Sequence, residues 1–317
     1  MSLRYDEIGL RLKAFRMGSG LSAEEISRRI GISRTALYRF EKGELAKIET
    51  LEKLSELLDV SLPTLLGVGI EYVSSPVTYY ERIRQIEETA EHITILAGPI
   101  SYFLATQEFE GILEQSLNES VPDKAPNRAK ALADIGQIIE IMRERKATRL
   151  QRKPACLHLV SALEMERYLM TGAVGRTMLP DAVAEERRRI ARAEVEHHIA
   201  ILEKEPIGVQ VGLVLDNLPR AGFQIFRQPT QRFLTISPFR LGEQPNVRLG
   251  VAMITSAPEA LTLHERVVAD IWAGALRGHA AAEYLRSLLA ARERMGIDSP
   301  AAKARLAEIT PAKRRSR

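Results

Sequence analysis

Residues 21–43 read LSAEEISRRIGISRTALYRFEKG. Ser22, with Glu25 three residues later, has the spacing of a capping box, which fixes the start of a helix. Gly31 can end that helix because glycine tolerates the left-handed backbone that a sharp turn requires. Ser33 is then placed to cap a second helix. The stretch therefore predicts two short helices joined by a tight turn, which is a helix-turn-helix.

The second predicted helix has an apolar side and a basic side. Leu37 and Phe40 form the expected buried pair, because residues three apart share one face of a helix. An exposed guanidinium near a helix N-terminus can bind phosphate or pair with guanine in the major groove. This favours DNA binding over the alternative, an ordinary helix bundle with a solvated basic face. The open side would carry Arg34, Thr35, Tyr38, Arg39 and Lys42.

The flanking segments extend this pattern. Together with residues 8–17 and the run IETLEKLSELLDVSLPTLL at 48–66, the stretch closely resembles the domain of phage lambda repressor and Cro, the XRE-type regulators. The resemblance covers about the first 68 residues and implies an all-α five-helix domain that binds double-stranded DNA. The family often has glutamine after the first cap, where this chain has Ala23, so one expected contact is missing. The candidate DNA-binding residues are Ser22, Ala23, Ser33, Arg34, Thr35, Tyr38, Arg39 and Lys42.

Length, charge and cysteine content limit the remaining possibilities. The chain has 317 residues, and 45% of them are hydrophobic. This length exceeds that of one small DNA-binding module, so we expect a second domain with its own core. A net charge of +4 suits an anionic partner, and residues 1–43 hold nine lysines or arginines against five acidic residues. Cys156 is the single cysteine, which excludes an intrachain disulfide and is typical of a reducing cytoplasm. The sequence shows no membrane-length apolar stretch and no signal-peptide pattern, so we expect a cytoplasmic protein.

Four segments are predicted. Residues 1–68 form the DNA-binding domain, and the glycines, serines and proline of 69–79 are typical of a linker that could hold a short strand. Residues 80–296 alternate strand-like and helical runs, which predicts a larger α/β (α+β) domain with a mixed sheet for effector binding or dimerisation. Residues 297–317 form a basic tail that is either simply solvated or an auxiliary phosphate contact.

The larger domain is predicted element by element from periodicity, turn residues and β-branched runs. Gly98-Pro99 follows the first strand and could border a ligand crevice, with a plain loop as the alternative. The expected helices are 80–92, 101–117, 127–150, 162–170, 181–204 and 258–295, the last with a break at 277–278. The expected strands lie within 93–97, 156–160, 207–215, 223–227, 232–237 and 247–255.

The search for catalytic and metal-binding patterns predicts no enzyme, no metal and no cofactor. Glu194 and His197 have the Glu-x-x-His spacing of di-iron bundles, but such sites need a second pair, and the sequence holds none. We interpret the surrounding helix as a solvated charged face, and the same interpretation covers its basic run. That basic run comprises Arg187, Arg188, Arg189 and Arg192.

Three functions remain open at this point. The order of elements after residue 80 loosely resembles the sensor-like region of many long XRE-type regulators of bacteria. This favours a transcriptional regulator that acts as a homodimer and senses a small-molecule effector through its larger domain. The alternative is an antitoxin or immunity-type regulator whose larger domain binds a partner protein. An enzyme with a DNA-targeting module is the least favoured.

Overall fold

The N-terminal part of the chain consists of five short helices around a small apolar core. The structure is a computed structural model that describes residues 4–294 except 97, 177–178, 217, 220–221 and 243–244. The predicted basic tail at 297–317 lies outside the described residues. The core side chains Leu12, Ile26, Leu37 and Leu65 are at most 1% exposed. The five-helix prediction is confirmed. The helices are α1 (Tyr5–Ser19), α2 (Ala23–Ile30), α3 (Arg34–Glu41), α4 (Ile48–Leu57) and α5 (Leu62–Leu66).

A seven-stranded mixed sheet organises the rest of the described chain. Its strands are β1 (Ile70–Val73), β2 (His92–Leu96), β3 (Ala155–Ser161), β4 (Val209–Val214), β5 (Gly222–Arg227), β6 (Arg232–Ser237) and β7 (Ala252–Thr255). They lie in the order β1-β7-β6-β5-β2-β3-β4. The strands β2, β3 and β4 are parallel, and the remaining pairs are antiparallel. This confirms the predicted α/β domain with a mixed sheet.

Helices cover both faces of the sheet. Apolar residues of α6, α8 and α10 pack on one face, where Phe226 of β5 is fully buried, and α12 packs against α10. The helix α11 covers the other face through Leu261 and Val268. None of the helices in the described part of the chain is long and apolar enough to cross a membrane. The bounds are α6 (Pro76–Glu87), α7 (Gln107–Glu119), α8 (Arg128–Arg152), α9 (Ala162–Thr171), α10 (Asp181–Lys204), α11 (Pro258–Gly274) and α12 (Gly278–Arg294).

The segment predicted as a linker contains regular structure. Residues 70–73 form β1, and α6 begins at Pro76 instead of Tyr80. The earlier start has a local cause, since the Ser75 hydroxyl accepts a hydrogen bond from Thr78 N at 3.3 Å and proline suits the first helical position. In the same way α7 begins after Thr106, which caps it, and not at residue 101.

The helix α6 joins the five-helix part to the sheet. Its N-terminal Ser75 hydroxyl donates a hydrogen bond to the carbonyl oxygen of Gly18 in α1, at 3.4 Å. Glu71 of β1 accepts hydrogen bonds from Arg11 of α1 at 2.6 Å and from Arg82 of α6 at 2.9 and 3.0 Å. All three ionic side chains are buried. Three elements are therefore fastened together where the two parts of the chain meet.

Candidate nucleic-acid interface

The turn between α2 and α3 has the geometry that its sequence predicts. The Ser22 hydroxyl accepts a hydrogen bond from Glu25 N at 3.1 Å, and the Ser33 hydroxyl accepts one from Ala36 N at 3.1 Å. Gly31 ends α2 with φ at +78°, in the left-handed region. One detail of the predicted capping box is wrong. The described contacts of the Glu25 carboxylate go to Arg29, one turn along the helix, and not back to the Ser22 amide.

The outer side of α3 presents polar and basic side chains to solvent. Leu37 is fully buried, whereas the opposite side is exposed. Successive residues turn by about 100° around a helix, so the exposed set spans an arc of about 140°. An arc of this width is what a helix can present to the floor and walls of a major groove. The exposed set comprises Arg34, Thr35, Tyr38, Arg39 and Lys42.

The inner side of α3 differs from the predicted apolar pair. Phe40 is only half-buried, and Glu41 is buried in its place. Its carboxylate accepts two hydrogen bonds from the Arg16 guanidinium of α1, one of them at 3.1 Å. Burial alone would lower the pKa of Arg16, but the hydrogen bond and charge of Glu41 raise it. Reasoning from the sequence missed this pair, although Glu41 lies one turn beyond Leu37 and thus on the same helix face.

The exposed arginines of α3 have loosely held partners. Arg34 lies 3.8 Å from a Glu24 carboxylate oxygen, and Arg39 donates to Glu44 at 2.6 Å. At least half of each of these four side chains is exposed, so the ion pairs contribute little stability and can open at small cost. Lys42 has no ion pair among the described residues. The three cations can therefore be redirected to an anionic partner.

Ala23 does not belong to this surface. It is only 8% exposed and forms part of the core around Ile26, because a small apolar side chain at the start of α2 packs inward. Its methyl group is therefore turned into the core, in line with the missing glutamine contact, and a role of residue 23 in DNA binding stays a prediction. Ser22 and Ser33 are exposed, and their hydroxyls are used as helix caps. They hold the two helix N-termini in place beside the basic side of α3.

The predicted solvated face of α10 is also wrong in part. Arg187 is 1% exposed and donates hydrogen bonds to the carbonyl oxygens of Ala173 at 2.9 Å and Ile112 at 3.2 Å. Glu194 is fully buried and accepts hydrogen bonds from the amide and hydroxyl of Thr106. The cause is that α10 lies between α7, α9 and α12 and so has little free surface. Glu194 therefore holds the residue that precedes α7, and Arg187 joins α7 to the loop after α9.

Comparisons with known proteins agree with the geometry of the first helices. Residues 12–65 match the family model described as helix-turn-helix. The chain is 27% identical over 141 residues to a protein of Pyrococcus abyssi that is provisionally named an HTH-type transcriptional regulatory protein. That match covers 41% of this chain and 45% of the relative, so it spans less than half of either protein. No solved structure matches the chain. Residues 12–65 therefore form a helix-turn-helix domain, which supports a DNA-binding regulator.

Proposed function

We propose that this protein is a sequence-specific transcriptional regulator rather than an enzyme, that it acts as a homodimer, and that its α/β part senses a small molecule. The observation that carries the proposal is the exposed arc of α3. Arg34 and Arg39 lie there on a helix whose N-terminus is capped by Ser33 and exposed to solvent. The exposed Lys42, which has no ion pair among the described residues, lies beside them. Such a helix can enter the major groove of double-stranded DNA, with its cations on phosphates or guanine edges.

The proposed dimer follows from the small area of the exposed arc of α3. One short helix buries too little area for tight and specific binding. Two copies related by a two-fold axis would present two α3 helices about 34 Å apart, one turn of the DNA, to a palindromic site. Sedimentation of the full chain with a selected DNA fragment should then give two chains for each site. One chain for each site would contradict the dimer.

The proposed sensing uses α6 as the connection. Its residues Tyr79 and Tyr80 lie on the side of the sheet, and the Tyr79 hydroxyl is 3.3 Å from Thr235 Oγ1 of β6. The same helix contacts α1 through Ser75 and Glu81. A ligand that prefers one position of α6 would shift the helix-turn-helix with it, since a ligand moves an equilibrium only through differential affinity.

Charge removal on α3 tests DNA binding directly. DNA fragments selected from genomic DNA by the full chain provide the probe, and fluorescence anisotropy measures Kd over a range of salt concentrations. We expect Arg34→Gln and Arg39→Gln each to weaken binding by about 5-fold to 100-fold. A residue that contacts phosphate should also reduce the salt slope by about 1, whereas one that reads a base should relax sequence preference.

The matched control is Arg286→Gln on α12. Arg286 is a partly exposed arginine in ion pairs with Glu203 and Glu283, and it lies outside the helix-turn-helix. Its loss should leave Kd unchanged. If the Arg34 and Arg39 variants bind the selected fragments as tightly as this control does, α3 is not the reading helix and the proposal fails.

A further inference from the structure

A cavity of about 130 Å³ opens at the carboxyl ends of the parallel strands β2 and β3. Gly98 and Pro99, which the sequence placed at a possible crevice, lie in its wall. Tyr80 of α6 and Arg145 of α8 form part of the opposite side. Ligands of open α/β sheets tend to bind beyond the carboxyl ends of parallel strands. The position alone makes this cavity a candidate site, and its charges indicate what it binds.

Among the described residues, α8 carries an unbalanced positive charge beside the cavity, where Arg145 lines the wall and Arg149 is its neighbour on the helix. Arg145 and Arg149, one helical turn apart, are both buried and share the single carboxylate of Glu87, at 2.7 Å and 3.5 Å. Both guanidinium groups lie over the ring of Phe103, at 4.8 Å and 4.2 Å from its centre. Each arginine keeps one terminal nitrogen that is buried and has no hydrogen-bond partner among the described residues.

Two buried cations and one buried anion leave one positive charge in excess. An uncompensated buried charge is costly in a low-dielectric interior, so an anion bound next to it is strongly favoured. Among the described lining residues, the rest of the wall adds Arg167 and Arg240 against the acidic Glu164. Arg167 and Arg240 are exposed, so water screens their charges and the buried cluster decides the charge of the ligand. A single negative charge balances that cluster, which favours a monoanion over a dianion.

Apart from Ser101, Gln224 and Ser237, the remaining wall is largely apolar and aromatic. It includes Tyr80, Leu159 and Phe239, all of them buried. The Tyr80 hydroxyl makes no hydrogen bond with the described residues. Burial raises the pKa of Tyr80, so the hydroxyl stays protonated and can donate to an anion. The cavity therefore offers one charged end and one apolar end in a small volume.

We propose that this cavity binds a small organic monocarboxylate with a short apolar body. The carboxylate lies at Arg145, and the body lies against Tyr80, Leu159 and Phe239. The inference rests on the proposed function in one respect, since the carboxylate would be the effector that the α/β part senses. Its binding to the cavity can be measured without DNA.

Two acids and their neutral amides test the charge requirement on the full chain. Phenylacetate and hexanoate are titrated against phenylacetamide and hexanamide by ligand-observed NMR, each pair having nearly the same apolar body. We expect at least one acid to bind at least about tenfold tighter than its amide, because a buried charge-assisted contact is lost in the amide. If neither acid binds tighter than its amide, the proposal is overturned.

Variants of α8 locate the binding site. Arg145→Gln should weaken the preferred acid about tenfold or more, while Arg145→Lys, which keeps the charge but loses the planar guanidinium, should weaken it less. Arg143→Gln is the matched control, because Arg143 lies on the exposed side of the same helix and pairs with Glu114 at 3.3 Å. Equal binding by the Arg145→Gln and Arg143→Gln proteins would place the acid elsewhere and overturn the proposal. If Arg145→Gln does not fold, the proposal is judged from the affinity of the Arg145→Lys protein and from the acid–amide comparison.

DNA binding with and without the acid separates this inference from the proposed function. An acid that binds at Arg145 and changes the Kd for DNA supports both. An acid that binds there without changing the Kd for DNA supports the carboxylate site and contradicts effector sensing. A chain that binds the acid but no DNA supports the site and contradicts the regulator.

Discussion

Gly9 lies in α1 at the point where the end of α3 comes closest. A Cβ atom on residue 9 would lie 2.5 Å from the Phe40 carbonyl oxygen and 2.7 Å from the Glu41 carbonyl oxygen. Both neighbours are backbone atoms, which cannot rotate away as a side chain could. The contact sets how far α3 stands from α1, and so how the exposed arc of α3 is presented.

We predict that Gly9→Ala destabilises the protein by about 1–3 kcal/mol, because overpacking between two backbones forces one helix to move. Urea unfolding of the full chain measures this change. Gly136→Ala provides the control, since Gly136 lies within α8 and an added methyl group there would meet no other atom within contact distance. That change should stabilise by about 0.5–1 kcal/mol, because alanine favours helix. Equal stabilisation by both changes would show that α1 and α3 are not in close contact.

At the scale of elements, Glu71 fastens β1, α1 and α6 together. It is 4% exposed, and its partners Arg11 and Arg82 are buried with it. Burial alone would raise the pKa of Glu71, but the charges of Arg82 and Arg11 outweigh burial and lower it. A carboxyl whose pKa is lowered in the folded state contributes stability above its unfolded pKa, and that contribution is lost as the pH falls through the folded pKa.

We predict that Glu71→Gln lowers the free energy of unfolding at pH 7 by about 3 kcal/mol, because it leaves a buried arginine without its counter-charge. The loss should begin to shrink as the pH falls below about 4.3, where the carboxyl of the unfolded chain takes up a proton, and should disappear as the pH falls through the lowered pKa of the folded carboxyl. Chemical denaturation at several pH values measures both effects. Glu283→Gln, which removes an exposed partner of Arg286, should change stability by less than about 0.5 kcal/mol. A Glu71 variant that behaves like this control would contradict the proposed role of the buried network.

Elements with local signals were predictable, and elements that depend on distant partners were not. The helix α10 has the predicted bounds Asp181–Lys204, because its period and flanking proline are local features. The burial of Arg187 on it depends on α7 and α9, which no local pattern specifies. The sequence allowed a short strand in the segment 69–79, but the position of β1 in the sheet depends on its pairing with β7 far along the chain.

The same distinction applies to the candidate sites. The exposed arc of α3 and its C-cap Lys42 follows from helical spacing over nine residues, so the exposure of each of its side chains was predictable from the sequence. The carboxylate site brings together residues of α6, the loop after β2, α8 and the later strands. Only Gly98-Pro99 carried a signal for it, because a glycine and proline after a strand mark the end where ligands bind. The pairing of Arg145 and Arg149 with Glu87 is a tertiary feature.

At the scale of the whole molecule, two buried histidines connect stability to pH. His158 of β3 and His198 of α10 are each 1% exposed. Burial lowers the pKa of His158 well below its usual value, with a further contribution from Arg149, and burial lowers the pKa of His198 to about 4. Both are therefore neutral in the folded chain at pH 7. In the unfolded chain they protonate near pH 6.5.

We predict that stability falls as the pH decreases below about 6.5, because the unfolded chain then binds more protons than the folded chain does. Each buried histidine should account for a loss of about 1.4 kcal/mol by pH 5.5. Urea unfolding between pH 7.5 and 5.5 measures this slope, which His198→Gln should reduce. His279→Gln, at an exposed position on α12, should leave the slope unchanged. Identical slopes for the two variants would contradict the assignment.

The pairing of β1 with β7 makes the two halves of this protein difficult to exchange as modules. A chain truncated after residue 68 would lose the strand and helix against which α1 packs, and the remainder would present β7 as a bare sheet edge. Bare edges recruit foreign strands and promote aggregation. Recombination that joins a different helix-turn-helix to this sheet must therefore also transfer residues 70–73. The segment that can be exchanged as a whole is thus longer than the helix-turn-helix itself.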